Sequence, residues 1–300
     1  MPIDYNQYIE DMLDSYHNRR VLGQDEFTYA IEMLDTFPWL SRSIHRRGFD
    51  EMMDRLILNA DERDLLSDLL HKFVYIGLEE SETLIGKIIN KLTEWDCSSA
   101  DTVLLASRIN PRENDGSNVF QKQLQDRLYG WANKNFVNFF DFRHRFHTVR
   151  NFNRIVLIDD FIGSGDTISN RLKVLTSEVL KVNPNCNIYI VALAGMNVAK
   201  TKHPELDSDK VYVPLWLEKS MDRVNDKHKV MVMDGILSRL RKSNNNFRHH
   251  SLLKYGYGYD DTAALYYNVH YRIPNNVLAI FWWGRFKKNK EIYNSMFRRS

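Results

Sequence analysis

The stretch VLIDDFIGSGDT, Val156 to Thr167, sets two adjacent carboxylates, Asp159 and Asp160, directly before a loop of small residues. A glycine loop that opens a helix offers backbone N–H groups to an anion, most often a phosphate. Two negative charges at the mouth of such a site call for a second chemistry. Adjacent carboxylates accept hydrogen bonds from sugar hydroxyls, and a bound Mg2+ offsets their charge. A phosphorylated sugar meets both demands: the loop takes the phosphate and the acids take the sugar. The competing reading is an acidic loop that only caps a structural helix.

Two common phosphate loops do not fit. A Walker A loop requires Gly-Lys followed by Ser or Thr, and this loop has no lysine. A dinucleotide loop requires a third glycine where Ile168 stands. It also places its ribose-binding acid roughly 20 residues downstream, not immediately before the loop. VLIDDFIGSGDT instead resembles the phosphoribosyl-pyrophosphate (PRPP) motif of type I phosphoribosyltransferases: an apolar strand, two acids, two apolar residues, then a small-residue loop ending in Thr. The resemblance implies that Asp159 and Asp160 are the catalytic acids, facing the ribose hydroxyls and meeting Mg2+ through the ligand. It further implies that Gly163, Ser164, Gly165, Asp166 and Thr167 wrap the 5′-phosphate. Asp166 departs from the family, which often carries a glycine there. A carboxylate beside phosphate is tolerable if it faces away, for example as a helix cap.

The family's order of elements suggests further residues. TVLLA (102–106) runs into SRINPRENDGS (107–117), where the family has its pyrophosphate loop, so Arg108, Arg112 and Ser117 become pyrophosphate candidates. VNFF (137–140) leads into DFRHR, where Arg143 and Arg145 match basic residues that family members often carry. The first segment also reads as a solvated loop, and the loop after the second is short for the family's flexible catalytic loop. The base-selecting hood would fall in KYGYGYDDTAA (254–264): Tyr255, Tyr257 and Tyr259 offer rings for stacking, and Asp260 or Asp261 can bond a base edge. The same tyrosines also suit packing at a sheet edge. The histidines lack metal-ligand spacing, and neither a Gly-x-Ser-x-Gly elbow nor HExxH is present.

The site needs a frame. From about residue 98 onward, short apolar runs at 102–106, 137–140, 155–158, 188–194, 211–216 and 277–283 alternate with helical patterns, notably Val119 to Trp131 and Ile168 to Leu180. That alternation predicts an α/β fold on a parallel sheet, and unbroken apolarity predicts strands covered on both faces. The central strand is expected over Ile155 to Ile158, with the acids at its solvent-open carboxyl end, where such sheets bind ligands. The helix behind the loop is expected to start at Asp166 or Thr167. Residues 1–97 read as a helical domain, with apolar periodicity over 5–16 and 27–34 and candidates at 49–58, 61–77 (Asp61 as N-cap) and 81–94. The expected fold is thus an N-terminal all-helical domain before a parallel-sheet, type I phosphoribosyltransferase-like domain over 98–300.

The helical extension, the IDDFIGSG motif and IPNNVLAIFWW (273–283) together resemble the divergent phosphoribosyltransferase-like domains of prokaryotic conflict systems, including retron-type anti-phage cassettes. That implies an effector or accessory subunit working beside a reverse transcriptase and its RNA–DNA hybrid, or beside other system proteins. The alternative is a catalytically inactive sensor or scaffold. Arg239, Arg241, Lys242 and Arg248 form a basic run. In the C-terminal segment, Arg285, Lys287, Lys288, Lys290, Arg298 and Arg299 oppose only Glu291 and interleave with aromatics, as a nucleic-acid-tracking tail would. Overall charge, +2, announces no such partner. Two cysteines give no disulfide framework. The first twenty residues hold no signal-type apolar core, and no window approaches the ~18 apolar residues of a membrane span. A cytoplasmic protein is expected, with self-association left open.

Overall fold

The computed structural model describes residues 23–107, 116–142, 152–243, 254–283 and 294–297. Arg108, Arg112, Arg143, Arg145, Arg248, the periodic stretch 5–16 and all six C-terminal cations lie outside them. In chain order the elements are helices α1 (Gln24–Thr36), α2 (Ser43–Arg55) and α3 (Ala60–His71), strand β1 (Val74–Ile76) and helix α4 (Leu78–Glu94). Then come β2 (Thr102–Ala106), α5 (Gly116–Gln125), β3 (Phe136–Asn138), the single turn α6 (Phe139–Phe142), β4 (Arg154–Ile162) and α7 (Asp166–Val179). The last are β5 (Asn187–Met196), α8 (Asn197–Lys202), β6 (Val211–Tyr212), β7 (Trp216–Leu217), α9 (Lys227–Ser243) and β8 (Tyr266–Asn268).

Two compact units result. One gathers residues 1–73, 223–249 and 280–299. Its helices bury one apolar stripe each, such as Ala30, Met33 and Leu34 on α1 and Leu65, Leu66, Leu69 and Leu70 on α3. α3 is capped by Asn59, whose Oδ1 accepts from the Glu62 N–H at 3.0 Å, so the cap lies two residues before the expected Asp61. α9 joins α3 through Lys229 to Asp68 (2.7 Å) and Arg239 to Glu62 (2.7 Å). Residues 294–297 also pack into this unit. Phe297 stacks against both Trp39 and Phe73, with centroids 5.8 and 5.2 Å away, and Glu51 accepts from the Asn294 N–H at 2.9 Å. Gly48 permits this: a Cβ there would lie 2.4 Å from the Met296 backbone.

The structure corrects the reading of 277–283 as a strand, and it buries Trp282, Trp283 and Phe297, three of the aromatics counted with the C-terminal cations. Val277 makes an isolated bridge to Ala264, and Ala279–Phe281 form a 3-10 turn. Trp282, Trp283, Met296 and Phe297 are buried. Apolar continuity marks burial, and burial alone does not choose between strand and turn.

The second unit comprises residues 74–222 and 250–279. The helices of the first ninety-odd residues therefore divide. α4 belongs here, touching β5 and leading to Trp95, whose ring stacks on Tyr189 at 4.5 Å. The main sheet is wholly parallel in the order β3-β2-β4-β5-β6, and β7 pairs β5 further along, after Pro214 interrupts the chain. α7 sends Ile168, Leu175 and Val179 onto one face with Val103, Leu105, Ile155, Leu157 and Ile190. The intervening residues Leu104, Val156, Ile158 and Val191 are equally buried, with α5 against β2 and β4 and α4 against β5. Covering both faces explains why these strands read as unbroken apolar runs. A separate parallel pair, β1 with β8, matches Val74 to Tyr266 and Ile76 to Asn268.

Counting from β2, the main sheet follows the doubly wound order 2-1-3-4-5. The direction of winding reverses between β2 and β4, and the crevice at that switch point is where such sheets bind ligands. Asp159, Asp160 and the loop after them leave β4 there.

Candidate functional site

β4 does not stop at Ile158. It continues through both acids to Ile162, with Asp159 opposite Ala192 and Phe161 opposite Ala194. The expected solvent-open end is corrected accordingly: Asp159 is 8% exposed, while Asp160 is half-buried. Pairing to β5 persists because Ala192, Ala194 and Gly195 leave room beside the bulky Phe161 and Ile162. Asp159 Oδ1 accepts from the Asp160 N–H at 3.1 Å. The Asp160 carboxylate occupies the space that a side chain on Gly116 would fill, a Cβ there lying 2.2 Å from Asp160 Cγ. It thus sits at the N-terminus of α5, the electropositive end of a helix. The Tyr266 and Tyr271 hydroxyls are pushed well above the usual tyrosine range, first by burial and further by the Asp160 charge. Phe161 stacks on Tyr266 at 4.9 Å.

The loop Gly163, Ser164, Gly165 is buried, Asp166 is half-buried and Thr167 is exposed. Gly165 adopts φ 84°, ψ −13° and is itself the N-cap of α7. Only glycine takes that conformation without strain, and a Cβ would also meet His203 Cδ2 at 2.7 Å. Gly163 has a different reason: a Cβ there would lie 2.1 Å from the side chain of Asn276. The first turn of a helix leaves its N–H groups without intrahelical acceptors, so the loop and α7 together present donors at the switch point.

Asp166 is the first residue of α7, not its cap, which corrects one expectation. Its carboxylate does face other partners. It accepts from Ser164 Oγ at 3.1 Å, Lys202 Nζ at 2.9 Å and His203 Nε2 at 2.9 Å. Burial would raise its pKa, but these hydrogen bonds outweigh burial and hold it below the usual aspartate range. His203 also faces Glu205, Nδ1 to Oε1 3.7 Å, and Glu205 accepts from Ser169 Oγ at 2.5 Å.

Of the remaining candidates, Ser117 is buried in the first turn of α5, beside the Gly116–Asp160 contact. Tyr257 is buried, whereas the Tyr255 and Tyr259 rings lie half-buried, 5.9 Å apart, with the Lys254 ammonium 4.6 Å from the Tyr259 ring. Asp260 accepts from Lys202 at 2.6 Å and Asp261 pairs with Lys219 at 3.4 Å. This loop carries four left-handed residues, Gly258, Asp260, Asp261 and Ala263. Aspartates tolerate that region; alanine does so at a cost of about 1–2 kcal/mol. Asn276 pins the loop, donating to Tyr259 O (3.3 Å) and Thr262 Oγ1 (3.2 Å).

Gly116, Lys202, His203 and Asn276 carry no sequence signal for this role, because each reaches the site through a long-range contact. Among the described residues, no group of three or more His, Cys, Asp or Glu side chains is arranged to hold a metal ion. Within the same residues, no helix is long and apolar enough to cross a membrane.

The PRTase-CE family profile matches residues 23–299. The chain belongs to the PRTase-CE family. The match spans the helical segments as well as the sheet, so helices and sheet alike are family features. Among solved structures, the chain is similar to a Helicobacter pylori xanthine-guanine-hypoxanthine phosphoribosyltransferase, at 15% identity and TM-score 0.30, covering 48% of this chain and 83% of that one. It is also similar to a purine phosphoribosyltransferase from Pyrococcus horikoshii, at 16% identity and TM-score 0.28, covering 48% and 86%. No curated protein sequence matches the chain.

Proposed function

We propose that this PRTase-CE protein binds PRPP or a related ribosyl phosphate at the β2–β4 switch point. Gly163, Ser164, Gly165, Asp166 and Thr167 supply the phosphate cradle, and Asp159 and Asp160 meet the ribose hydroxyls. The observation that carries this reading is the left-handed Gly165 turning β4 into the N-terminus of α7 directly after the acid pair. Asp166 is compatible with a phosphate there because Lys202 and His203 engage its carboxylate. Mg2+ fits the donor chemistry, since it is commonly held by one or two carboxylates together with substrate phosphates. Asp159 and Asp160 would hold it through the ligand, and when bound it offsets the charge of a departing pyrophosphate. The chain's own contribution to transfer is positioning: fixed N–H donors on the phosphate and carboxylates orienting the sugar.

The alternative is a catalytically inactive sensor or scaffold that keeps the same pocket, and the contact of Asp160 with the N-terminus of α5 suits either. In either case the resemblance to conflict-system proteins supports work beside a reverse transcriptase with its RNA–DNA hybrid, or other system proteins. The test is calorimetry with PRPP, ribose 5-phosphate and inorganic phosphate, with and without Mg2+. The proposal expects saturable binding of both ribosyl phosphates, with PRPP favoured by Mg2+. No heat with any ribosyl phosphate would overturn it. Pyrophosphate release from bound PRPP would distinguish an enzyme from a sensor.

A further inference from the structure

The tyrosine loop and the phosphate loop are joined by a lysine that neither loop contains. Lys202 closes α8, on the connection after β5, and its ammonium donates both to Asp166 at 2.9 Å and to Asp260 at 2.6 Å. Asp166 opens α7 at the phosphate loop; Asp260 lies in the loop that holds Tyr255 and Tyr259. A second contact runs parallel to the first. Asn276, bonded to Tyr259 O and Thr262 Oγ1, packs where only a glycine at 163 allows it. Between these two pins the backbone passes through left-handed Asp260, Asp261 and Ala263. Such a conformation persists only where surrounding contacts hold it. Asn276 fixes the buried side of the loop, and Lys202 fixes its exposed tip.

We propose that Lys202 is a specificity-positioning residue: by tying Asp260 to Asp166 it sets the placement of the Tyr255–Tyr259 rings relative to the phosphate loop. The ligand class it selects is a ribosyl phosphate bearing a flat aromatic group, such as a nucleoside 5′-monophosphate. One end of that ligand is held by the Gly163–Thr167 cradle and the other is offered to the two half-buried rings and the Lys254 ammonium beside them. The inference rests on the ribosyl-phosphate reading for its ligand, but the latch itself does not.

The experiment has two arms, each on Lys202→Met, Lys202→Arg and Asp260→Asn in the full chain. In the first, hydrogen exchange without ligand follows the loop 254–264. Lys202→Met and Asp260→Asn should speed its exchange at least severalfold, leave the β4 and β5 amides unchanged, and Lys202→Arg should restore protection. Unchanged loop exchange in Lys202→Met would overturn the latch. In the second, calorimetry compares ribose 5-phosphate with AMP, GMP, CMP and UMP. Stacking of a base on an aromatic ring supports a preference of about tenfold or more for a nucleotide over the bare sugar phosphate. Asp260→Asn, which leaves the Lys202–Asp166 pair in place, should erase most of that preference while changing ribose 5-phosphate affinity by less than about threefold. Lys202→Met should erase the preference too and also weaken ribose 5-phosphate binding, and Lys202→Arg should retain both. Equal losses for both ligand types in Asp260→Asn, or none for either, would refute the positioning role. If the wild-type chain binds no ribosyl phosphate, the ribosyl-phosphate reading and the ligand half of this inference fall together, and the exchange arm still decides the latch.

Discussion

Adding one methyl group at Gly163 tests the geometry of the phosphate loop directly. An ideal Cβ there lies 2.1 Å from Asn276 Cγ and Oδ1 and 2.2 Å from Nδ2, separations that real Cβ contacts do not show. Asn276 is buried at 7% exposure and holds two hydrogen bonds, so it cannot swing aside without losing them. Gly163 is not among the left-handed glycines, so backbone strain does not enter. Overpacking of this kind costs about 1–3 kcal/mol. In an Asn276→Ala background all three clashing atoms are gone. Gly163→Ala should then be neutral, or stabilising by up to about 1 kcal/mol through reduced freedom of the unfolded chain. Asn276→Ala alone should cost about 1–3 kcal/mol for the hydrogen bonds it leaves unmade. Urea unfolding of the four proteins, followed by far-UV circular dichroism, gives the cycle. The expected coupling is about 1–3 kcal/mol, well beyond the ~0.5 kcal/mol scatter of independent sites. The same cost for Gly163→Ala in both backgrounds would refute the placement of Asn276 on the loop.

Other outcomes follow from the same structure. Changing Asp159 and Asp160 together to Asn should abolish calorimetric binding of PRPP and ribose 5-phosphate; undiminished affinity would remove the acids from the site. The Asp166 carboxyl, held low in the folded chain, contributes stability that is present above the ordinary aspartate pKa and lost as pH falls through its own. An NMR titration should therefore show it protonating below the ordinary aspartate range, and moving toward that range in Lys202→Met. Burial pushes the Cys97 and Cys186 thiols up to about 11, so iodoacetamide should label neither at an appreciable rate at pH 7, with labelling rising in alkaline buffer. Rapid labelling at neutral pH would contradict their environments. Phe297→Ala, removing a ring stacked on Trp39 and Phe73 at 1% exposure, should destabilise the helical unit by about 3–5 kcal/mol in chemical unfolding. A loss below about 1 kcal/mol would contradict the packing of Phe297 on these two rings.

The sheet was legible because its strands are covered on both faces and appear as dense apolar runs, and because the acid pair with its glycine loop is a local pattern. The same local character limited the reading. β4 runs on to Ile162 because small residues on β5 keep the pairing open, a fact about the neighbouring strand. β1 and β8 are three residues each and their pairing spans most of the chain, so neither leaves a periodic mark. The apolar run at 277–283 announced burial and said nothing of what it is buried against. Division of the early helices is likewise non-local: α4 meets β5, while α3 takes α9 as its partner. Asp166 looked out of place beside a phosphate until Lys202 and His203, more than thirty residues away, supplied its partners.

The central claim is that Gly163 to Thr167 cradle the phosphate of a ribosyl phosphate. Backbone amide chemical shifts of Gly163, Ser164, Gly165, Asp166 and Thr167, followed by two-dimensional NMR on an isotope-labelled chain titrated with ribose 5-phosphate, report on those donors one by one. The account predicts saturable downfield shifts at several of these five amides as their N–H groups bond the phosphate oxygens, with no comparable change along α9. Saturable binding that leaves all five amides unmoved, or shifts confined to the helical unit, would contradict it.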